Sequence, residues 1–334
     1  MKRPARIALM IVGVIAVALV AGYLALLRAD IPYAKLEAKY ASPASRFMDL
    51  PGGLRVHYRD QGNPKGPPVV MVHGFSASLQ AWEPWVARLG RDYRVVTLDL
   101  PGHGLTRAPA GYAASIDGYA DIVDDAAQRL KLGRYVVVGN SMGGACAWDD
   151  ELRHPGHVRA LVLVDAAGWP SKAREGDGPL IFRLMASPLA RPLIRDIDSR
   201  PLVKDALKAA YGSPALVTPA LVDRYVELSR APGHRDILLA IQTRSRAPVT
   251  AETFKAMRVP TLVMHGERDK LIPVADGRGF AGAIPGARLV TYPGVGHVPM
   301  EQIPDRSAAD VAAFLKGLDG APTAESPDRR LGKA

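Results

Sequence analysis

Cysteine is almost missing: Cys146 is the only one in 334 residues. No internal disulfide can form, so cystines give no reading of the redox compartment, and a cysteine-based metal cluster has no ligands. Cys146 itself, five residues after Ser141 on the same expected helix, reads as a small buried apolar residue. Aromatic residues are also scarce, at 6%, and no run of Lys or Arg is longer than two. A formal charge of +10 therefore lacks the basic stripe interleaved with aromatics that nucleic-acid binders carry, and nucleic acid is excluded as the expected partner. No H-E-x-x-H or P-loop pattern occurs, so neither metal nor nucleotide is implied and no cofactor is expected.

What the sequence does have is a long apolar run near its start. After Lys2, Arg3 and Arg6, residues 7–27 read IALMIVGVIAVALVAGYLALL with no charge. At about 1.5 Å per residue such a helix reaches roughly 30 Å, the thickness of a bilayer's hydrocarbon core. The basic flank predicts by the positive-inside rule that the start of the chain stays cytoplasmic and the remainder is exported. The rival reading is a cleaved signal peptide, after which the protein would be secreted, but that apolar region would be about 7–15 residues and end at a small-x-small site. The run here is longer and LALLRAD offers no such site, so an uncleaved anchor over residues 1–30 is expected.

From Arg46 onward apolar runs alternate with amphipathic ones. RVHYRD (55–60), PVVMVHG (68–74), RVVTLDLPGHG (94–104), YVVVGN (135–140), ALVLVD (160–165), TLVMHG (261–266) and ARLVTY (287–292) read as strands, with helical spacing between them. Continuous Val/Leu strands separated by helices predict a mostly parallel sheet covered on both faces, hence the α/β class. The strand signal fades across residues 170–256, which predicts an all-helical insertion, a cap, within one domain spanning 46–318. Residues 31–45 are expected to be a linker. The end of the chain, 319–334, is rich in Pro, small and charged residues and is expected to be a disordered tail. On the helix over 116–133, Asp121, Asp124 and Asp125 are expected on a solvated face, while Trp82 and Trp85, at i and i+3, are expected in core or pocket wall.

The chemistry is concentrated in GNSMGG, residues 139–144. It fits G-x-S-x-G, in which a serine sits on a sharp strand-to-helix turn and small neighbours avoid a collision across the bend. A hydroxyl is a weak nucleophile unless a base takes its proton, and the base needs a partner that fixes its tautomer. Past the strand TLVMH stands Asp269, and past ARLVTY stands His297. The order Ser, acid, His is the one such turns use, and strand carboxyl ends are where open α/β sheets place their sites. Asp165, also at a strand end, is the competing acid. His73 and His103, in glycine-rich turns, read as structural, and His57, His154, His157, His234 and His265 as ordinary residues.

These pieces, HGF (73–75), LDLPGHG (98–104), GNSMGG (139–144), LVLVDAAG (161–168), HGERD (265–269) and GVGHVPMEQIP (294–304), resemble the α/β-hydrolase superfamily over about residues 46–318. With the leading anchor, GNSMGG and DAAGWP look like membrane-anchored bacterial esterases and lipases. The resemblance implies Ser141 as nucleophile, His297 as base, Asp269 as its orienting acid, and an oxyanion hole from the backbone N–H groups of Phe75 and Met142. It implies hydrolysis of a carboxylic ester with an apolar acyl group and no cofactor, in a protein held to the membrane by its N-terminal helix. Carbon–carbon hydrolases of ring-cleavage dienoates share GNSMGG but commonly carry tryptophan after the histidine, where this chain has Val298. A non-catalytic binding protein on the same fold is the remaining alternative. In the cap, the apolar stretch at 179–194 predicts a lid over the nucleophile, and its interleaving with Arg183, Arg191 and Arg195 adds the sharper reading that the lid rests on an anionic bilayer.

Overall fold

Eight apolar segments assemble into one sheet in the computed structural model, which describes residues 3–171, 180–241 and 249–319. The strands are β1 (Ser45–Leu50), β2 (Leu54–Gly62), β3 (Pro68–Val72), β4 (Arg94–Leu98), β5 (Tyr135–Asn140), β6 (Val158–Val164), β7 (Thr261–Gly266) and β8 (Arg288–Tyr292). Their order across the sheet is β1-β2-β4-β3-β5-β6-β7-β8. β1 and β2 join antiparallel at one edge, and every pair from β4 to β8 is parallel. This is the α/β architecture expected from the sequence.

Central strands are apolar throughout because both of their faces are covered. On β5, Tyr135 and Val137 pack into one hydrophobic layer while Val136 and Val138 pack into the other, the period of two that a strand imposes. Trp82 and Trp85 are fully buried in the second layer, and Trp85 Nε1 donates to Ser307 Oγ at 2.9 Å. The expected solvated face of the helix Ile116–Arg129 needs a correction at Asp124. That carboxylate is buried and accepts from Tyr135 Oη at 3.2 Å, with His157 Nδ1 2.7 Å away. The nearer acceptor of the Tyr135 hydroxyl is Asp150 Oδ2, at 2.7 Å, so the short contact of Asp124 is the one to His157.

Between β6 and β7 the described residues form helices and no strand: Leu180–Ala186, Arg191–Ile194, Arg200–Ala210, Pro219–Ser229, His234–Ala240 and Ala251–Lys255. Residues 172–179 and 242–248 of the expected cap, and 320–334 of the expected tail, lie outside the described residues.

Residues 31–45 are more than a linker. The helix Arg3–Leu26 is unburied over its apolar window, but the chain that leaves it is fastened to the cap. Leu27 forms an antiparallel bridge with Ile197, Arg28 N–H donates to Asp196 O at 2.6 Å, and Asp198 N–H donates to Leu26 O at 2.8 Å. Arg235 adds bonds to Arg28 O at 2.8 Å and to Asp30 Oδ1 at 2.6 Å, and Arg230 Nη2 reaches Ala29 O at 2.7 Å. The helix Tyr33–Tyr40 then buries Leu36 against Leu105, Leu228 and Ala231, a contact that stabilises by about 2 kcal/mol. Tyr40 Oη donates to Glu227 Oε2 at 2.8 Å on the cap helix Pro219–Ser229. Two turns of amphipathic helix were too short a signal to separate from a connector.

Candidate active site

β5 ends at Asn140 and the helix Met142–Arg153 begins two residues on, which leaves Ser141 to make the whole turn. Its backbone sits at φ 55°, ψ −118°, a conformation that costs a non-glycine residue about 1–3 kcal/mol and persists only where the surroundings dictate it. The surroundings here are backbone. A Cβ on Gly139 would lie 2.0 Å from the carbonyl oxygen of Gly143, and one on Gly143 would lie 2.1 Å from the carbonyl oxygen of Val72. The strand, the helix and β3 meet too closely for any side chain. Gly143→Ala should therefore lower stability by about 3 kcal/mol or more, on the order of 10 °C in melting temperature. Gly317→Ala, on a helix face with nothing within 4 Å, should be neutral or stabilising. Thermal melts of the two variants check the pair, and equal melting temperatures would contradict the account.

His297 lies on the loop after β8, held from three directions. Its N–H donates to Ala210 O of the cap at 2.6 Å, its carbonyl accepts from Asn140 Nδ2 at 3.0 Å, and Gly296 N–H donates to Gln302 Oε1 at 2.9 Å. Gln302 Nε2 in turn donates to the carbonyl of Tyr211. The ring's Nδ1 stands 2.6 Å from Asp269 Oδ2. A carboxylate only accepts, so Nδ1 carries the hydrogen and Nε2 keeps a lone pair.

Asp269 follows β7, and its other oxygen accepts from Leu271 N–H at 2.7 Å and Ile272 N–H at 3.1 Å. Burial pushes this carboxyl up, but the charge and hydrogen bond of His297 and the two backbone donors outweigh it, so its pKa lies below the ordinary 3.8. Asp165 is treated oppositely. It is fully buried at φ 46°, it accepts from Gly266 N–H at 2.8 Å, and its Oδ2 has no hydrogen-bond partner among the described residues. Burial first, then the charge of Asp269, hold its pKa well above the carboxylate range, so it is the neutral member of the two. His265 Nε2 lies 3.6 Å from Asp165 Oδ1 and from Asp269 Oδ2, with its closer contact at 3.1 Å to Ile272 O. Burial lowers the His265 pKa, so the ring beside the two acids is held toward its neutral form.

Ser141 and His297 line one cavity of about 110 Å³, with Gly74, Phe75, Leu271 and Val298 from the sheet side and Ile181, Val203, Leu207 and Tyr225 from the cap. Met142 opens the helix behind Ser141, so its N–H has no acceptor within that helix. The HGF loop abuts the same turn: a Cβ on Gly74 would lie 3.2 Å from Ser141 Cβ. His73 fixes that loop, with Nδ1 2.8 Å from Gly74 O and Nε2 accepting from Leu100 N–H at 3.1 Å, and its ring lies 4.9 Å from that of His103. Sequence reasoning missed Asn140, whose amide also donates to Val164 O at 3.1 Å and so ties the serine turn to both flanking loops. A polar residue closing an otherwise apolar strand was the available signal.

Residues 67–303 match the family described as alpha/beta hydrolase fold. Among characterised relatives, the 2-hydroxymuconate semialdehyde hydrolase of Pseudomonas sp. (strain CF600) is 29% identical over 86% of this chain and 99% of its own. Among solved structures, the esterase RhEst1 from Rhodococcus sp. ECU1013 superposes with a TM-score of 0.67 at 25% identity, over 82% of this chain and 99% of that one. A membrane phospholipase A superposes with a TM-score of 0.70 at 24% identity, over 96% of this chain and all of that one. The sheet order, the strained serine turn and the match across its length agree, and the chain belongs to the alpha/beta hydrolase fold family.

Proposed function

We propose that this hydrolase cleaves carboxylic esters with an apolar acyl group through an acyl-enzyme. Ser141 Oγ attacks the carbonyl carbon, His297 Nε2 takes the hydroxyl proton, and the oxyanion forms toward the N–H groups of Met142 and Phe75. His297 then passes the proton to the departing alcohol, and water, activated by the same nitrogen, releases the acid and restores the serine. Asp269 keeps Nδ1 protonated and stabilises the imidazolium. Each oxyanion donor is worth about 10²–10³-fold in rate.

The observation that carries the ester reading is the lining of the cavity. Apart from Ser141 and His297 it is made of apolar side chains, backbone, Ser76, Asn140 and Tyr225, and none of the described residues lining it is Lys or Arg. A substrate carboxylate brought there would lose its hydration without a cation to replace it. That bears on the second reading, carbon–carbon bond hydrolysis, which the muconate semialdehyde hydrolase relative favours. A series of p-nitrophenyl esters of increasing chain length, run beside a 2-hydroxy-6-oxo-dienoate, tests the two. Ester turnover that rises with chain length, with labelling of Ser141 by a fluorophosphonate, is expected. Preference for the dienoate would overturn the reading, and no labelling of folded protein would favour a non-catalytic role.

The same reading leaves the helix Arg3–Leu26 uncleaved in a bilayer, with Lys2 on the cytoplasmic side and the α/β domain exported. Supporting it, Leu26 and Leu27 contribute backbone contacts to the cap that cleavage behind them would remove.

A further inference from the structure

Large apolar side chains that remain exposed outside the N-terminal helix are few among the described residues: Leu180, Leu189, Leu193 and Leu216, at 54, 87, 60 and 42% exposure. All four belong to the cap, and the first three fall within fourteen positions of one another. Scattered exposed leucines mean little, but three on one short segment form a patch that water disfavours. The segment continues directly into residues 196–198, which pair with residues 26–28 where the apolar helix ends. Leu193 is four residues from Ile197, so it lies within about 15 Å of that exit along the chain. The patch is thus fixed beside the point where the chain leaves the helix.

Most of the charges nearby are already committed to the protein. Arg195 Nη2 lies 2.8 Å from Asp236 Oδ2, Arg28 Nη2 3.3 Å from Asp198, Arg235 2.6 Å from Asp30, and Arg191 Nε donates to Met185 O at 2.6 Å. Two of the three arginines that the sequence offered to an anionic surface, Arg191 and Arg195, therefore hold the cap and its fastening together. Among the described residues, the exposed side chains of the segment are the three leucines, Pro188, Pro192 and one charge, Arg183. Leu180 also adjoins Ile181, which lines the Ser141 cavity, so one short helix, Leu180–Ala186, stands between the patch and the site.

We propose that Leu180, Leu189 and Leu193 enter the leaflet in which the helix Arg3–Leu26 ends at Leu26, and that the substrate is a membrane lipid ester whose acyl chain passes from that leaflet by Ile181 into the cavity. The contact is apolar rather than electrostatic. Its substrate clause rests on the ester reading, whereas the leaflet contact does not.

The test uses the full chain in nanodiscs of phosphatidylcholine, which has no net charge. Cys146 is fully buried, so Leu189→Cys, Leu193→Cys or Arg91→Cys supplies the one accessible thiol for an environment-sensitive fluorophore. Arg91, in the loop leading into β4, is at the amino end of the parallel strands, opposite the carboxyl end where Ser141 stands, and serves as the control. Lipids carrying a nitroxide on the acyl chain should quench the probes at 189 and 193 and leave that at 91 unaffected, as expected for insertion about 5–10 Å into the headgroup and acyl boundary. Quenching should not change between about 0.05 and 1 M salt, over which the screening length falls to about 3 Å. Quenching no greater than at 91, or quenching abolished by salt, overturns the apolar contact. In a second arm, Leu189→Asp combined with Leu193→Asp should lower hydrolysis of a bilayer-borne ester about tenfold or more, while a short soluble ester stays within about twofold. Equal losses on both substrates overturn the entry route. A parent protein that is quenched yet cleaves neither ester overturns the ester reading and leaves the leaflet contact standing.

Discussion

Replacing Ser141 with alanine should lower kcat by about 10⁴–10⁶-fold while the protein remains folded, and His297→Ala should cost about as much. The hydroxyl is the only atom at the turn that can carry the acyl group, and Nε2 of His297 is the nitrogen left free to take its proton. Because the two act as a unit, the double variant should be no worse than either single one, to within about tenfold. Folding should survive because alanine keeps the Cβ of Ser141 and so neither adds to nor relieves the backbone strain at the turn. Steady-state rates on a short ester, with circular dichroism as the folding control, decide it. Activity above about a tenth of the parent in a folded variant would remove the serine from its role.

Asp269→Asn should lower kcat by about 10³–10⁴-fold, whereas Asp165→Asn should leave it within about threefold. An amide at 269 would offer N–H to Nδ1 or accept only weakly, and so would favour the wrong tautomer. At 165 the asparagine supplies an uncharged group, the form that burial and then the charge of Asp269 favour there, whose oxygen can still accept from Gly266 N–H. The two carboxyls also differ in sign with pH. Asp269 has its pKa lowered on folding, so its contribution is present above the ordinary 3.8 and disappears as pH falls through the lower folded value. Asp165 has its pKa raised, so the unfolded chain loses that proton first and stability declines as pH climbs above 3.8. Asp165→Asn removes that decline, and its melting temperature at pH 7 should equal or exceed that of the parent. A severe loss of activity in Asp165→Asn with a mild one in Asp269→Asn would reverse the assignment.

The α/β fold was legible because its central strands are continuous runs of Val and Leu, which only a sheet covered on both faces accommodates. The order of Ser141, Asp269 and His297 was legible for a related reason: each stands just past a strand end, where the chain must leave the sheet. Other features were not. The pairing of residues 26–28 with 196–198 uses backbone N–H and C=O groups, which every sequence has, so no side-chain pattern announces it. Asp124 looked like one more charge on a helix face because the groups beside it, His157 just before β6 and Tyr135 at the start of β5, come from elements that periodicity alone could not place against it. Neutral Asp165 was hidden for the opposite reason. Its letter is that of a charged residue, and only the neighbouring Asp269 and full burial make it an acid that keeps its proton.

The bond from His297 N–H to Ala210 O, with Gln302 on the carbonyl of Tyr211, joins the proposed base to the end of the helix Arg200–Ala210. The cap is consequently not an interchangeable module that can be grafted from one relative to another to alter selectivity alone. A transplant that displaced those two carbonyls would detune the imidazole as well, so chimaeras should lose turnover on every substrate at once, including those too small to touch the transplanted helices. Divergence of this segment is then free along its outward face and constrained at two peptide groups, whatever side chains those positions carry.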